Sequence, residues 1–138
     1  MIAYLDSSVI LRMVLGQPGR LSEWKRLRSG IASALVEVEC LRTLDRLKIR
    51  EGIGDAEIAA RREAVFRLVE EMEIVEASRP VLGRASQPLP TPLGTLDAIH
   101  LATALLWQEK ERKNLVMATH DTALGIAARA CGLRVAGV

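Results

Sequence analysis

The sequence predicts an α/β fold, with a mostly parallel sheet covered by helices on both faces. Short apolar runs of strand length, at residues 2–5 and 115–118, lack the polar alternation of a half-exposed strand, as strands buried on both faces do. Longer stretches with apolar residues at helical spacing lie between the strand-like segments. Right-handed crossovers turn such an alternation into a parallel sheet with helices laid back on it.

The elements follow in order. The run 2–5 is the first strand; Ser7 or Ser8 is placed to cap a helix with Val9, Ile10, Met13 and Val14 on one face, ended by Gly16, Pro18 and Gly19. A more polar helix is expected over 21–28, with Leu21, Trp24 and Leu27 inward and Gly30 as its stop. Residues 31–33 read as a strand leading into a long helix from Ala34 to about Arg50, and 55–71 as an amphipathic helix that pairs with it. A strand is expected over 72–76 and a short helix over 80–85. The loop 86–94, stiffened by Pro88, Pro90 and Pro92, delivers the chain to a helix that Thr95 can cap. The strand 115–118, a helix from Asp121 to Cys131 and a last strand at 133–136 complete the pattern.

With 138 residues and 49% hydrophobic side chains, the chain suits one domain over 1–138. A chain of this length buries about 70% of the surface its unfolded form exposes. A net charge of +2 excludes a polycation that coats nucleic acid indiscriminately, so any such contact must be local. The basic residues are fifteen Arg against four Lys, and Arg presents the fork that suits phosphate or a partner's carboxylates. Cys40 and Cys131 sit in apolar helical patterns without metal-type spacing and read as small core residues. No apolar run reaches membrane-spanning length and no secretory leader is evident, which points to a cytoplasmic protein.

The acids carry the chemistry. Of five Asp, three stand at or just inside the start of an expected helix, Asp6, Asp97 and Asp121, and two of them, Asp6 and Asp121, directly follow expected strands. Asp97 lies in the first turn of an apolar helix, on the same face as Leu101 and Leu105, at the rim of the core. Glu39 lies on a helix whose apolar face carries Leu41, Leu44 and Leu47. Each acid alone also reads as a helix-start or surface residue; jointly they suggest one cluster at the carboxyl ends of neighbouring strands, where parallel sheets bind ligands. Two carboxylates about 4 Å apart repel by about 4 kcal/mol at an effective dielectric near 20, and a divalent cation relieves this. Oxygen donors select hard ions, Mg2+ with Mn2+ as substitute, and such sites suit phosphodiester hydrolysis.

Around the acids, His100 reads as a hydrogen-bonded core residue and His120 as a residue of the solvent or groove rim. Ser7, Ser8 and Thr119 lack a base and suit hydrogen bonding to the carboxylates. Arg42, Arg46 and Arg50 form either a phosphate track or a solvated face with Asp45 and Glu51. Four aromatic residues are too few for base stacking to dominate binding.

Four segments resemble the acidic motifs of PIN domains, and among them the VapC-like toxins of toxin–antitoxin pairs: Leu5-Asp6-Ser7-Ser8, Val38-Glu39, residues 95–104, and Thr119-His120-Asp121. They occur in order over the full length. The resemblance implies a three-layer α/β/α sandwich and an Mg2+- or Mn2+-dependent endoribonuclease. It makes Asp6, Glu39, Asp97 and Asp121 the metal-binding, catalytic acids, with Thr119 and Ser7 in support; Arg42 and Arg46, read as a phosphate track from their own spacing, are the candidate RNA contacts. It further implies a homodimer and a small antitoxin as partner. Leu93-Gly94 stands where many relatives carry a basic residue. Two rival readings keep the residues and change the class: a catalytically silent PIN-like module acting in a regulatory complex with an antitoxin, and an aspartyl-phosphate domain with Asp6 as nucleophile. The second lacks the Asp two residues on, where Ser8 stands, and an evident late Lys.

Overall fold

The computed structural model describes residues 1–138. In chain order the elements are β1 (Ile2–Leu5), α1 (Ser7–Val14), a 3-10 turn (Ser22–Arg26), β2 (Ser29–Ser33), α2 (Leu35–Glu51), α3 (Asp55–Glu70), β3 (Glu73–Val75), α4 (Arg79–Ala85), α5 (Thr95–Glu111), β4 (Val116–Ala118), α6 (Thr122–Ala130) and β5 (Arg134–Ala136). The five strands form one sheet in the order β3-β2-β1-β4-β5, and every pairing is parallel. The expected α/β/α architecture is therefore what the chain adopts.

Strand β1 is central and buried on both sides, so its alternating side chains feed two cores. Ala3 and Leu5 join Val9, Ile10, Val36, Cys40, Leu44 and Val65 under α1, α2 and α3. Tyr4 joins Ile31, Leu101, Leu105, Met117, Leu124 and Ala127 under α5 and α6. From β1 the chain runs outward through β2 and β3, then crosses back through α5 to β4 on the other side of β1. The order reverses between β1 and β4, and ligands in such sheets bind at the carboxyl ends beside that reversal. The register sets Leu5 beside Ala118, so the residues that follow, Asp6 and Thr119, emerge together.

Local differences from expectation have physical causes. Asp6, not Ser7 or Ser8, caps α1, because its carboxylate accepts the Val9 amide. Gly94 occupies the cap position of α5, and Thr95 makes no capping bond. The helix expected over 21–28 is only the 3-10 turn, with no buried residue of its own; Leu21 just ahead of it is the buried anchor. Gly30 lies inside β2 and does not stop a helix: a Cβ there would stand 3.0 Å from Leu5 Cδ1. No helix is long and apolar enough to cross a membrane.

Candidate functional site

Asp6 ends β1 and opens α1, and its buried carboxylate is fully engaged. Oδ1 accepts from Ser8 Oγ at 2.5 Å and from the Val9 amide at 3.2 Å, while Oδ2 accepts from Thr119 Oγ1 at 2.6 Å. Three donors offset much of the cost of taking a carboxylate out of water. Thr119 Oγ1 also accepts the Asp121 amide at 2.9 Å, and Ser8 Oγ accepts the His120 amide at 2.8 Å. The β1–α1 and β4–α6 junctions are thus laced together by hydroxyls. Asp121 repeats at α6 what Asp6 does at α1, its Oδ1 accepting the Leu124 amide at 2.9 Å.

Glu39 stands beside the buried Cys40 on α2 and is held from α5. Its Oε1 lies 2.5 Å from His100 Nε2, and its Oε2 has only a long contact, 3.4 Å, from Ser7 Oγ. His100 is 1% exposed, and its Nδ1 is 2.6 Å from the Tyr4 hydroxyl. Burial raises the Tyr4 phenol well above its usual range. The Cys40 thiol is pushed up to about 12, first by burial and then by Glu39 and Asp6, which leaves it inert at neutral pH.

Asp97, in the first turn of α5, is the acid under electrostatic load. Its carboxyl is raised above the ordinary value first by burial, then by Asp121; His100 opposes the rise, and Asp6 and Glu39 add to it. No hydrogen bond is among the influences that would lower it. All four acids therefore share one electrostatic neighbourhood. As the side chains stand, however, no three His, Cys, Asp or Glu converge tightly enough to enclose an ion. Asp6 is committed to Ser8, Val9 and Thr119, and one oxygen of Glu39 to His100. The donor set is all oxygen and includes a carboxylate without a donor of its own. That fits a hard divalent cation held by few protein contacts with water completing its shell, not a closed protein cage.

Beside Glu39 runs a groove of about 370 Å3 lined by Ser7, Val38, Glu39, Arg42, Arg46 and Leu96, among others. Arg42 pairs with Asp45 at 2.8 Å and Arg46 bonds Thr43 Oγ1 at 2.9 Å; both are exposed. Arg50 does not line this groove. Hollows of about 470 and 540 Å3 lie under the 86–95 loop and beside β3, and neither contains any of the four acids. His120 is half-buried beside the C-terminal segment. Its Nδ1 lies 3.0 Å from the Gly137 carbonyl oxygen, and its Nε2 is enclosed without a partner.

His100 is the hydrogen-bonded core residue expected of it, but its partners, Glu39 on one ring nitrogen and Tyr4 on the other, are not readable from the sequence. Only the need for them is, because a lone imidazole in an apolar helix must find a hydrogen-bond partner.

An all-parallel five-stranded sheet between helical layers defines an α/β/α protein, and the candidate acids Asp6 and Asp121 follow the two strands between which its order reverses. The chain belongs to the PIN-domain family, which it matches over residues 3–130. It is 33% identical over 136 residues to Ribonuclease VapC46 of Mycobacterium tuberculosis, covering 96% of this chain and 94% of that protein. The crystal structure of FitAcB from Neisseria gonorrhoeae shares the fold at a TM-score of 0.69 and 17% identity, over 98% of this chain and 96% of that one. The structure of VapBC2 from Rickettsia felis, bound to a DNA fragment from their promoter, does so at a TM-score of 0.65 and 15% identity, over 98% and 97%.

Proposed function

We propose that residues 1–138 act as one PIN domain with endoribonuclease activity, dependent on Mg2+ or Mn2+, as the toxin of a toxin–antitoxin pair. The observation that carries this reading is the electrostatic convergence of Asp6, Glu39, Asp121 and Asp97 from four separate elements. The ribonuclease named among its relatives supports the same chemistry. Asp6, Asp97 and Asp121 would hold the cation, and Glu39 would hold it or orient the attacking water. When bound, the cation polarises the phosphodiester and lowers the pKa of water.

The chain's own contribution is placement. Thr119 and Ser8 fix the Asp6 carboxylate, and the α6 amide of Leu124 fixes one oxygen of Asp121. Arg42 and Arg46, in the groove that begins at Glu39, would hold the phosphates of RNA by the backbone, independent of sequence. The likeness to the VapBC2 structure supports a cognate antitoxin as partner, and we extend the reading to a homodimer working in the cytoplasm.

One observation favours the rival module that binds an antitoxin without cleaving. Asp6 is already satisfied by three protein donors and Glu39 by His100. Purified protein incubated with structured and single-stranded RNA, in Mg2+, in Mn2+ or in EDTA, separates the two. Cleavage in either metal that disappears in EDTA and in Asp97→Asn supports the nuclease. Cleavage that survives both overturns the metal mechanism, and none under any condition favours the module.

A further inference from the structure

The buried stretch of α5 from Ala98 to Leu105 contains one imidazole, and both of its nitrogens are engaged. Nε2 of His100 lies 2.5 Å from Glu39 Oε1, and Nδ1 lies 2.6 Å from the Tyr4 hydroxyl. The Tyr4 oxygen also accepts the Ser33 amide of the neighbouring strand at 3.2 Å. An amide can only donate, so the phenol keeps its single proton for another neighbour. At 2.6 Å that neighbour is His100 Nδ1, which is then the unprotonated ring nitrogen. The imidazole proton is left on Nε2, facing Glu39. Thr103 does not compete for that proton: its hydroxyl donates to the Ile99 carbonyl at 2.7 Å and makes no hydrogen bond with the Tyr4 oxygen, whose only partners are His100 and Ser33.

We propose that Tyr4 and His100 are positioning residues: the Tyr4 hydroxyl selects the Nε2–H tautomer of His100, which clamps Glu39 Oε1 and leaves Oε2 as the working oxygen. The proposal rests on the reading of Glu39 as an acid of the nuclease site. A Glu side chain has three rotatable bonds, and a single charge-assisted bond from a ring locked in the core removes most of that freedom. Ser7, 3.4 Å from Oε2, is too distant to hold the carboxylate by itself. The clamp also explains why an imidazole is buried in the helix between Asp97 and Thr103: it carries order from the central strand, through the core, to α2.

The test begins with the metal-free protein, labelled with 15N at histidine. At neutral pH, His100 is expected to show a pyridine-type Nδ1 and a proton-bearing Nε2, and Tyr4→Phe to lose that preference. Activity is then compared in His100→Ala, His100→Gln and Glu39→Gln. Loss of the clamp should lower kcat by about 10–100-fold with KM for RNA unchanged, the size seen when partners behind metal ligands are removed. His100→Gln, which returns an N–H donor near the position of Nε2, should recover much of it, and neither substitution should add a loss on top of Glu39→Gln.

A proton on Nδ1 overturns the tautomer assignment. A full His100→Ala loss that persists in the Glu39→Gln background overturns the clamp. Should His100→Ala fail to fold, Tyr4→Phe, alone and in the Glu39→Gln background, carries the same comparison. Cleavage by no variant with any cation overturns the nuclease reading, and with it the role of Glu39, whereas the 15N spectrum still decides the tautomer.

Discussion

Thr119 Oγ1 donates to Asp6 Oδ2 at 2.6 Å, joining residues 113 positions apart, and the same oxygen accepts the Asp121 amide at 2.9 Å. One fully buried hydroxyl thereby braces both cap acids across the β1–β4 seam. Thr119→Val keeps the shape and removes the hydroxyl, leaving a buried carboxylate oxygen without its donor. Hydrogen bonds to charged groups contribute about 1.5–3 kcal/mol, so a loss of that order in unfolding free energy is expected. Thr119→Ser should retain most of it. Urea denaturation measures the effect, and equal midpoints for Thr119→Val and the parent chain would show that the brace is not there.

The C-terminal segment presses on the same residue. Gly137 has a φ of +100°, and a Cβ there would fall 2.3 Å from the Thr119 carbonyl oxygen and 3.3 Å from His120 Nδ1. Gly137→Ala is expected to cost more than about 1 kcal/mol, since the backbone conformation is wrong for a side chain and the neighbour is main chain. Gly132→Ala is the comparison: φ is +85° but nothing lies within 4 Å, so it reports backbone strain alone. A larger loss at 137 than at 132 measures the contact with Thr119; equal losses would remove it.

Much of this organisation is legible in the residues themselves. The apolar run 2–5 without alternation reads as a doubly buried strand because two cores draw on it, and that is what β1 is. The acids at strand ends are legible because capping and site both need a carboxylate at the same junction. The cap of α5 is not, since Thr95 and Gly94 both tolerate the position, and it is Gly94 that takes the extended cap backbone while Thr95 is already helical. The place of Gly30 is not legible either, because a glycine that admits Leu5 against the backbone looks, in one dimension, like one that ends a helix. Pairings such as His100 with Glu39 join residues 61 apart, and no local pattern encodes them.

Asp97 gives the pH dependence. An unfolded Asp titrates near about 3.9. In the folded chain burial and Asp121 raise it, so the native state binds the proton more tightly. The stability this contributes is fully present below the unfolded value and is lost as pH rises through the folded value. At neutral pH without a cation the ionised carboxylate therefore weighs against the fold. In EDTA, Asp97→Asn should melt above the parent chain at pH 7, with the gap closing toward acid. Mg2+ should reverse the order, since a ligand at 100 times its Kd adds about 2.7 kcal/mol to whichever protein binds it. Calorimetric melts across pH with and without Mg2+ check both halves. A parent chain that melts higher in EDTA at neutral pH would contradict the repulsion.

The Arg groove makes its own prediction, because binding to phosphate and binding to metal separate in kinetics. Arg42 and Arg46 line the groove next to Glu39, while Arg50, one turn further along α2, does not. Arg42→Ala and Arg46→Ala should raise KM for RNA with kcat nearly unchanged, a loss of uniform binding. Each phosphate contact removed from a single strand should flatten the slope of log affinity against log salt by about 0.7. Stability should move little, because the Arg42–Asp45 pair is solvent-exposed and such pairs contribute at most about 1 kcal/mol. Arg50→Ala should leave KM and the salt slope as they are. A salt slope that responds to Arg50 as strongly as to Arg42 and Arg46 would mean that the helix attracts RNA by its general charge, with no groove guiding the strand to the acids.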